Sequence, residues 1–182
     1  MKWLSLMIVV GIHIAPCFAS TPTSQDNADW SGWPTVGTSS LSWLFFDIFD
    51  SELKSPSGNY EETTDVTPHP MALLISYLRD VPKEQLLKAT QEQWHYLGYN
   101  QAESLDWLEQ LAAIYPDINR GERLVYVTDG HRGEFIFYDR QNRATSLGEI
   151  TDEQLNDAFI SIWLSPKTEY LQHRNQLLGK KR

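Results

Sequence analysis

The stretch RLVYVTDGHRGEFIFY, residues 123–138, decides the fold class. Arg123 to Thr128 and Glu134 to Tyr138 are rich in β-branched and aromatic residues with a period of two, and Asp129-Gly130 supplies turn residues between them. It reads as a β-hairpin whose loop is two residues or longer. A third strand follows near Ala144 to Ile150. Upstream the period is that of helices. Asp80-Val81-Pro82 opens one, with Pro at the first helical position, and Gly98 closes it after Leu97. Its apolar positions, Leu86, Leu87, Ala89, Trp94 and Leu97, fit a helical stripe only loosely. A second helix spans about Ser104 to Tyr115, with Leu105, Leu108, Leu111 and Ala112 on one side, and Pro116 stops it.

Further out, Leu41 to Phe49 (LSWLFFDIF) reads as one strand covered on both faces, Ser55 to Pro70 as a long acidic loop, and Met71 to Leu78 as another strand. Thr151-Asp152-Glu153-Gln154 matches a capping box that starts a helix through Leu164. Ser165-Pro166 begins the last helix, which ends at Leu178-Gly179. Strands, two helices, a strand meander and two helices together predict an α+β domain: an antiparallel sheet with a helical layer on one face.

The 182 residues suit one domain, and 12% aromatic content excludes a disordered chain. A net charge of −9 with no basic cluster beyond Lys180-Lys181-Arg182 argues against a nucleic-acid partner. Residues 1–19 read as a secretory signal peptide: Lys2, an apolar run from Trp3 to Ile14, and small residues before a cut after Ala19. That run is too short for a transmembrane helix, and Pro16 stands where lipidation of Cys17 would want Gly or Ala. The expected product is an exported, periplasmic protein without disulfides. It comprises a flexible lead-in (20–32), one domain (33–179) and a basic tail (180–182). Its acidity sits at the front, since residues 20–70 hold eight acids against one base.

Motifs for common chemistries are missing. There is no G-x-S-x-G, no G-x-G-x-x-G after a strand and no Walker loop, so no cofactor is implied. His69, His95, His131 and His173 lack the i, i+3 or i, i+4 spacing of a helical metal site, and no metal is expected. Glu92 and His95 share a helix face as an acid/base pair or, more plainly, as a solvated one. Trp43, Phe45, Phe46, Phe49, Trp94, Trp107, Phe159 and Trp163 form a core, or line a slot between sheet and helices.

Four segments read together resemble the chalcone isomerase-like family, in particular its bacterial exported branch. They are Val36-Gly37 with Leu41 to Phe49, then Leu74 to Glu84, then Gly121 to Leu124, and lastly Ala158 to Ser165 with Thr168 and Arg174 to Gly179. The resemblance spans about residues 33–179 and implies that family's open-faced β-sandwich. It also implies a cleft between sheet and helices, where chalcone isomerases guide a phenoxide onto an enone with an arginine, a threonine, a tyrosine, an asparagine and a further hydroxyl residue. Here the threonine position falls near Leu44, the tyrosine and asparagine positions near Gln85 and Glu92, and the late hydroxyl near Ile162. No arginine lies between Ser20 and Phe49. A cleft bearing Glu92 without that guanidinium repels a phenolate, so chalcone cyclisation is not expected.

The family also contains noncatalytic members that bind fatty acids in the same cleft. The resemblance therefore implies a protein that binds a small apolar or amphipathic ligand, or that has a structural role. Tyr77, Arg79, Gln85, Glu92, Ile162 and Trp163 are the candidate contacts, and Arg79 is the carboxylate partner unless it makes a surface salt bridge to Asp80 or a neighbouring acid. Two alternatives stand beside this. One is an isomerase or lyase for another substrate, with Glu92 as general base and Tyr77 or Tyr96 as donor. The other is an envelope protein-interaction module bearing an exposed aromatic patch.

Overall fold

A computed structural model describes residues 29–43 and 46–180, with side chains given outside 42–47. The signal segment with its cut after Ala19, most of the lead-in, and Lys181-Arg182 lie outside the described residues.

The strands are β1 (Thr35–Trp43), β2 (Phe46–Lys54), β3 (Met71–Tyr77), β4 (Arg123–Thr128), β5 (Gly133–Tyr138) and β6 (Ala144–Ile150). They form one sheet in the order β1-β2-β3-β4-β5-β6, and every neighbour is antiparallel. The helices are α1 (Lys83–Leu97), α2 (Gln101–Ile114), α3 (Glu153–Leu164) and α4 (Leu171–Leu177). The expected α+β architecture is the observed one.

Alternation along the strands sets the two faces. Met71, Leu73, Ile75 and Tyr77 of β3, with Leu124 and Tyr126 of β4, point into the helical layer. Ala72, Leu74, Val125 and Val127 point outward. Both sets are buried because Trp30, in a short 3-10 turn (Trp30–Gly32), lies over the outer face beside Tyr138. Trp30 falls in the span expected to be a flexible lead-in, so ordered structure starts earlier than Trp33. One large apolar ring supplies the reason, since covering it with sheet is worth several kcal/mol at about 25 cal/mol per Å².

The inner core is aromatic. Tyr126, Phe135 and Phe159 pack with ring centroids 4.6–4.9 Å apart. Trp94 and Trp107 meet edge to face at 5.5 Å, and the Trp94 indole donates to Ala158 O at 2.7 Å. That hydrogen bond removes the cost of burying the N–H completely. Val81 and Ile118 exchange backbone hydrogen bonds of 2.8 and 3.0 Å, pinning both ends of the α1–α2 excursion beside β3 and β4.

Four local expectations are corrected. Leu41 to Phe49 is a hairpin and not one strand: β1 ends at Trp43, β2 starts at Phe46, and these two are Cα partners. The aromatic run hid the reversal because Leu44 and Phe45, the two residues between the strands in sequence, are not types that usually mark turns. Helix α2 begins earlier than Ser104, since Asn100 caps it by accepting from Ala102 N at 2.9 Å. Asp152, not Thr151, caps α3: its carboxylate accepts from Gln154 N at 2.9 Å and from the Trp107 indole at 3.3 Å, a pairing a hydroxyl one residue earlier lacks. Finally, α4 begins at Leu171 rather than Pro166. Thr168 holds the intervening segment in a turn, with its N–H on Ser165 O and its hydroxyl on Ile162 O. At the end of α1, Gly98 has φ +86°, the left-handed conformation expected of a closing glycine.

Candidate functional site

One face of α1 carries Gln85, Leu86, Ala89, Thr90 and Gln93 at helical spacing, and these line a cavity together with Phe49 of β2 and Ile75 and Tyr77 of β3. Ala89 and Thr90 are too short to reach the sheet. Under them the cavity, of about 220 Å³, is floored by Ile75, Tyr77 and Phe49 and walled by Phe159, Ile162 and Trp163 of α3. Its volume lies below the roughly 300–1,000 Å³ of sites for drug-sized molecules. A narrow chain suits it better than a polycyclic ring system.

All six residues expected to contact a ligand, Tyr77, Arg79, Gln85, Glu92, Ile162 and Trp163, line this cavity. Their chemistry differs. Tyr77 is 5% exposed, and its hydroxyl has no hydrogen-bond partner among the described residues. Burial, with Tyr115 beside it, pushes the Tyr77 phenol above its ordinary pKa, so it stays protonated and able to donate. Tyr115 is raised by burial too, against an opposing hydrogen bond from Thr90. Arg79 makes neither an ion pair nor a hydrogen bond among the described residues. The Asp80 pairing weighed above does not occur, because the Asp80 carboxylate accepts from Arg120 N at 2.7 Å.

Glu92 is at the rim. Its side chain is 64% exposed and pairs with Lys88 at 3.8 Å, not with His95. A general base has to reach a proton of a bound substrate, and Glu92 is turned to Lys88 and solvent instead. Tyr96, the other donor weighed for an enzymatic role, is 57% exposed and does not line the cavity. Among the described residues no group of three or more His, Cys, Asp or Glu is placed to hold a metal.

Three features escaped the sequence reading. Gln93 and Tyr115 also line the cavity; the helical face containing Gln85 and Leu86 was the available signal for Gln93, whereas Tyr115 had none. The third is buried polar wiring behind the cavity wall. His173 of α4 bonds to Ser39 at 2.8 Å and Ser51 at 2.9 Å, and Ser39 donates to Gln176 at 2.5 Å. The His173 ring packs against Phe49 and Trp163.

On the outer face a wider, polar trough of about 720 Å³ runs over Ser40, Asp50, Ser76 and Arg123. Its carboxylates are engaged, Asp50 accepting from Ser40 and Glu52 from Thr35, while Arg123 donates through one terminal nitrogen to Asn142 and lies over the Tyr138 ring, its buried Nε having no partner among the described residues. The apolar cavity, with its unengaged cation and phenol, is the stronger candidate.

No family model matches the chain. An uncharacterised protein of Haemophilus influenzae is 27% identical over 163 residues, covering 90% of this chain and 76% of that protein. The crystal structure of a fatty-acid binding protein of Arabidopsis thaliana superposes with a TM-score of 0.57 at 12% identity, over 79% of this chain and 85% of that one. At that identity the likeness concerns the fold, and it agrees with the chalcone isomerase-like architecture implied by the sequence resemblance.

Proposed function

We propose that this chain is a noncatalytic carrier of fatty-acid-like ligands, exported to the periplasm after cleavage near Ala19. The observation that carries the reading is Arg79: a guanidinium without a carboxylate partner among the described residues, lining an apolar cavity. A bidentate guanidinium–carboxylate pair is the natural use of such a group. The Tyr77 hydroxyl supplies a further donor, and Ile75, Phe159 and Ile162 receive the acyl chain. The fold likeness to a fatty-acid binding protein supports this reading. Glu92, exposed and paired with Lys88, lends no support to the lyase alternative.

The test is titration of the delipidated protein with decanoate and with decanol, followed by calorimetry. Wild type is expected to bind the acid in preference to the alcohol. Arg79→Met is expected to weaken the acid by at least about tenfold, as for loss of a charge-assisted hydrogen bond, and to leave the alcohol unchanged. Equal affinity of wild type and Arg79→Met for decanoate would remove the proposal's basis. Export is checked separately by N-terminal sequencing of the periplasmic fraction, where the proposal requires a chain beginning at Ser20.

A further inference from the structure

Strand register gives the cavity a direction. On β3, Tyr77 and Ile75 line it, and Leu73, the next residue on the same face, does not. Leu73 is the Cα partner of Tyr126, which is in turn the partner of Phe135. At that level of the sheet Tyr126, Phe135 and Phe159 pack with centroids 4.6–4.9 Å apart, and Tyr115 meets the fully buried Phe135 edge to face at 5.5 Å. Phe159 and Tyr115, the cavity's own lining, thus have packed rings behind them, and a chain that enters ends there instead of passing on into the core. Arg79 marks the opposite limit, two residues beyond Tyr77 at the end of β3. The space between these limits is about 220 Å³. An apolar cavity of about 150 Å³ takes up benzene, roughly 25 Å³ for each carbon, and by that measure this one holds about nine carbons.

We propose that the site selects acyl chains of medium length, about eight to ten carbons, with the carboxylate at Arg79 and the terminal methyl against Phe159. This rests on the fatty-acid reading of the cavity and sharpens it: Arg79 recognises the head group, and the aromatic stop sets the length. Each methylene that enters the cavity leaves water, which strengthens binding about fourfold. Once the methyl has reached the rings, further carbons stay in water at the mouth and add little.

The experiment titrates the delipidated protein calorimetrically with hexanoate, octanoate, decanoate, dodecanoate and tetradecanoate, each below its micelle-forming concentration. Affinity is expected to rise about fifteenfold for each added pair of carbons as far as decanoate, and by less than about threefold in all from decanoate to tetradecanoate. Phe159→Ala, its folding checked by near-ultraviolet circular dichroism, is expected to extend the rise to dodecanoate or beyond. A wild-type rise that continues undiminished to tetradecanoate, or that stops at hexanoate, overturns the length limit and leaves the carrier reading in place. A folded Phe159→Ala whose rise ends at decanoate does the same. If that variant does not fold, the wild-type series decides alone. If none of the five acids binds wild type, the carrier reading falls and the length limit falls with it.

Discussion

The Nε2 atom of His173 lies 2.9 Å from the hydroxyl of Ser51, joining α4 to β2 across 122 residues of chain. The opposite ring nitrogen meets Ser39 of β1 at 2.8 Å. One imidazole thus holds the last helix against the edge of the sheet and backs Phe49 and Trp163, which line the cavity.

Burial pushes the His173 imidazole down to about 4, with a backbone hydrogen bond at Ser40 opposing. The folded protein therefore holds it neutral, while the unfolded chain takes up the proton near pH 6.5. The stability this contributes is present above about pH 6.5, falls as pH drops toward 4, and is flat below that; its size is on the order of 3 kcal/mol. Urea midpoints measured at pH 7.5 and 4.5 should fall more for wild type than for His173→Gln, which has no imidazole to protonate. Parallel pH dependence in the two proteins would contradict this.

Gly37 is required by proximity. A Cβ there would lie 2.2 Å from Gln176 O and 2.6 Å from Leu177 O, both backbone atoms of α4 that cannot rotate away. Gly37→Ala is expected to push α4 off β1 and to cost about 1–3 kcal/mol, as overpacking does. A thermal melt reads this out, and faster hydrogen exchange in 171–177 locates it.

Asn156 is fully buried. It accepts from the Tyr126 and Thr128 hydroxyls, each at 2.7 Å, and donates to Gly130 O at 3.2 Å. Asn156→Ala strands the buried Tyr126 hydroxyl and the Gly130 carbonyl, whereas Thr128 keeps Arg132 O as an acceptor at 2.8 Å, and should destabilise by about 2–4 kcal/mol in urea titration. Restoring part of the loss with Tyr126→Phe in the same chain would show that the unsatisfied phenol carries much of it.

Ala89 leaves the space that the cavity occupies. Ala89→Leu is expected to fill part of it, lowering decanoate affinity at least about tenfold while changing unfolding stability by no more than about 1 kcal/mol. A large stability loss would mean that the space is smaller than the 220 Å³ seen here.

Much of the architecture is legible locally. The period-two runs that became β4, β5 and β6, and the Gly98 stop of α1, depend on residues a few positions apart. Misreadings occurred where distant partners overrode local signals. Trp30 belongs to a polar lead-in by composition but is buried by Ala72, Leu74 and Val125. Asp152 displaces Thr151 as the α3 cap, and it also receives the indole of Trp107 from α2.

For the site, the sequence supplied residue types and a helical face: Gln85 and Glu92 on α1, Ile162 and Trp163 on α3, and Tyr77 and Arg79 at the end of β3. Their meeting around one cavity, and the state of each group in it, were decided by tertiary structure. Arg79 stands next to Asp80 in the chain, yet Asp80 is taken by the backbone of Arg120, 40 residues on. Glu92 lies within a turn of His95, yet the helix turns it outward to Lys88. Hydrophobic period and capping are properties of neighbours along the chain. Whether a polar group is satisfied depends on which groups packing brings within about 3 Å of it, and no local pattern encodes that.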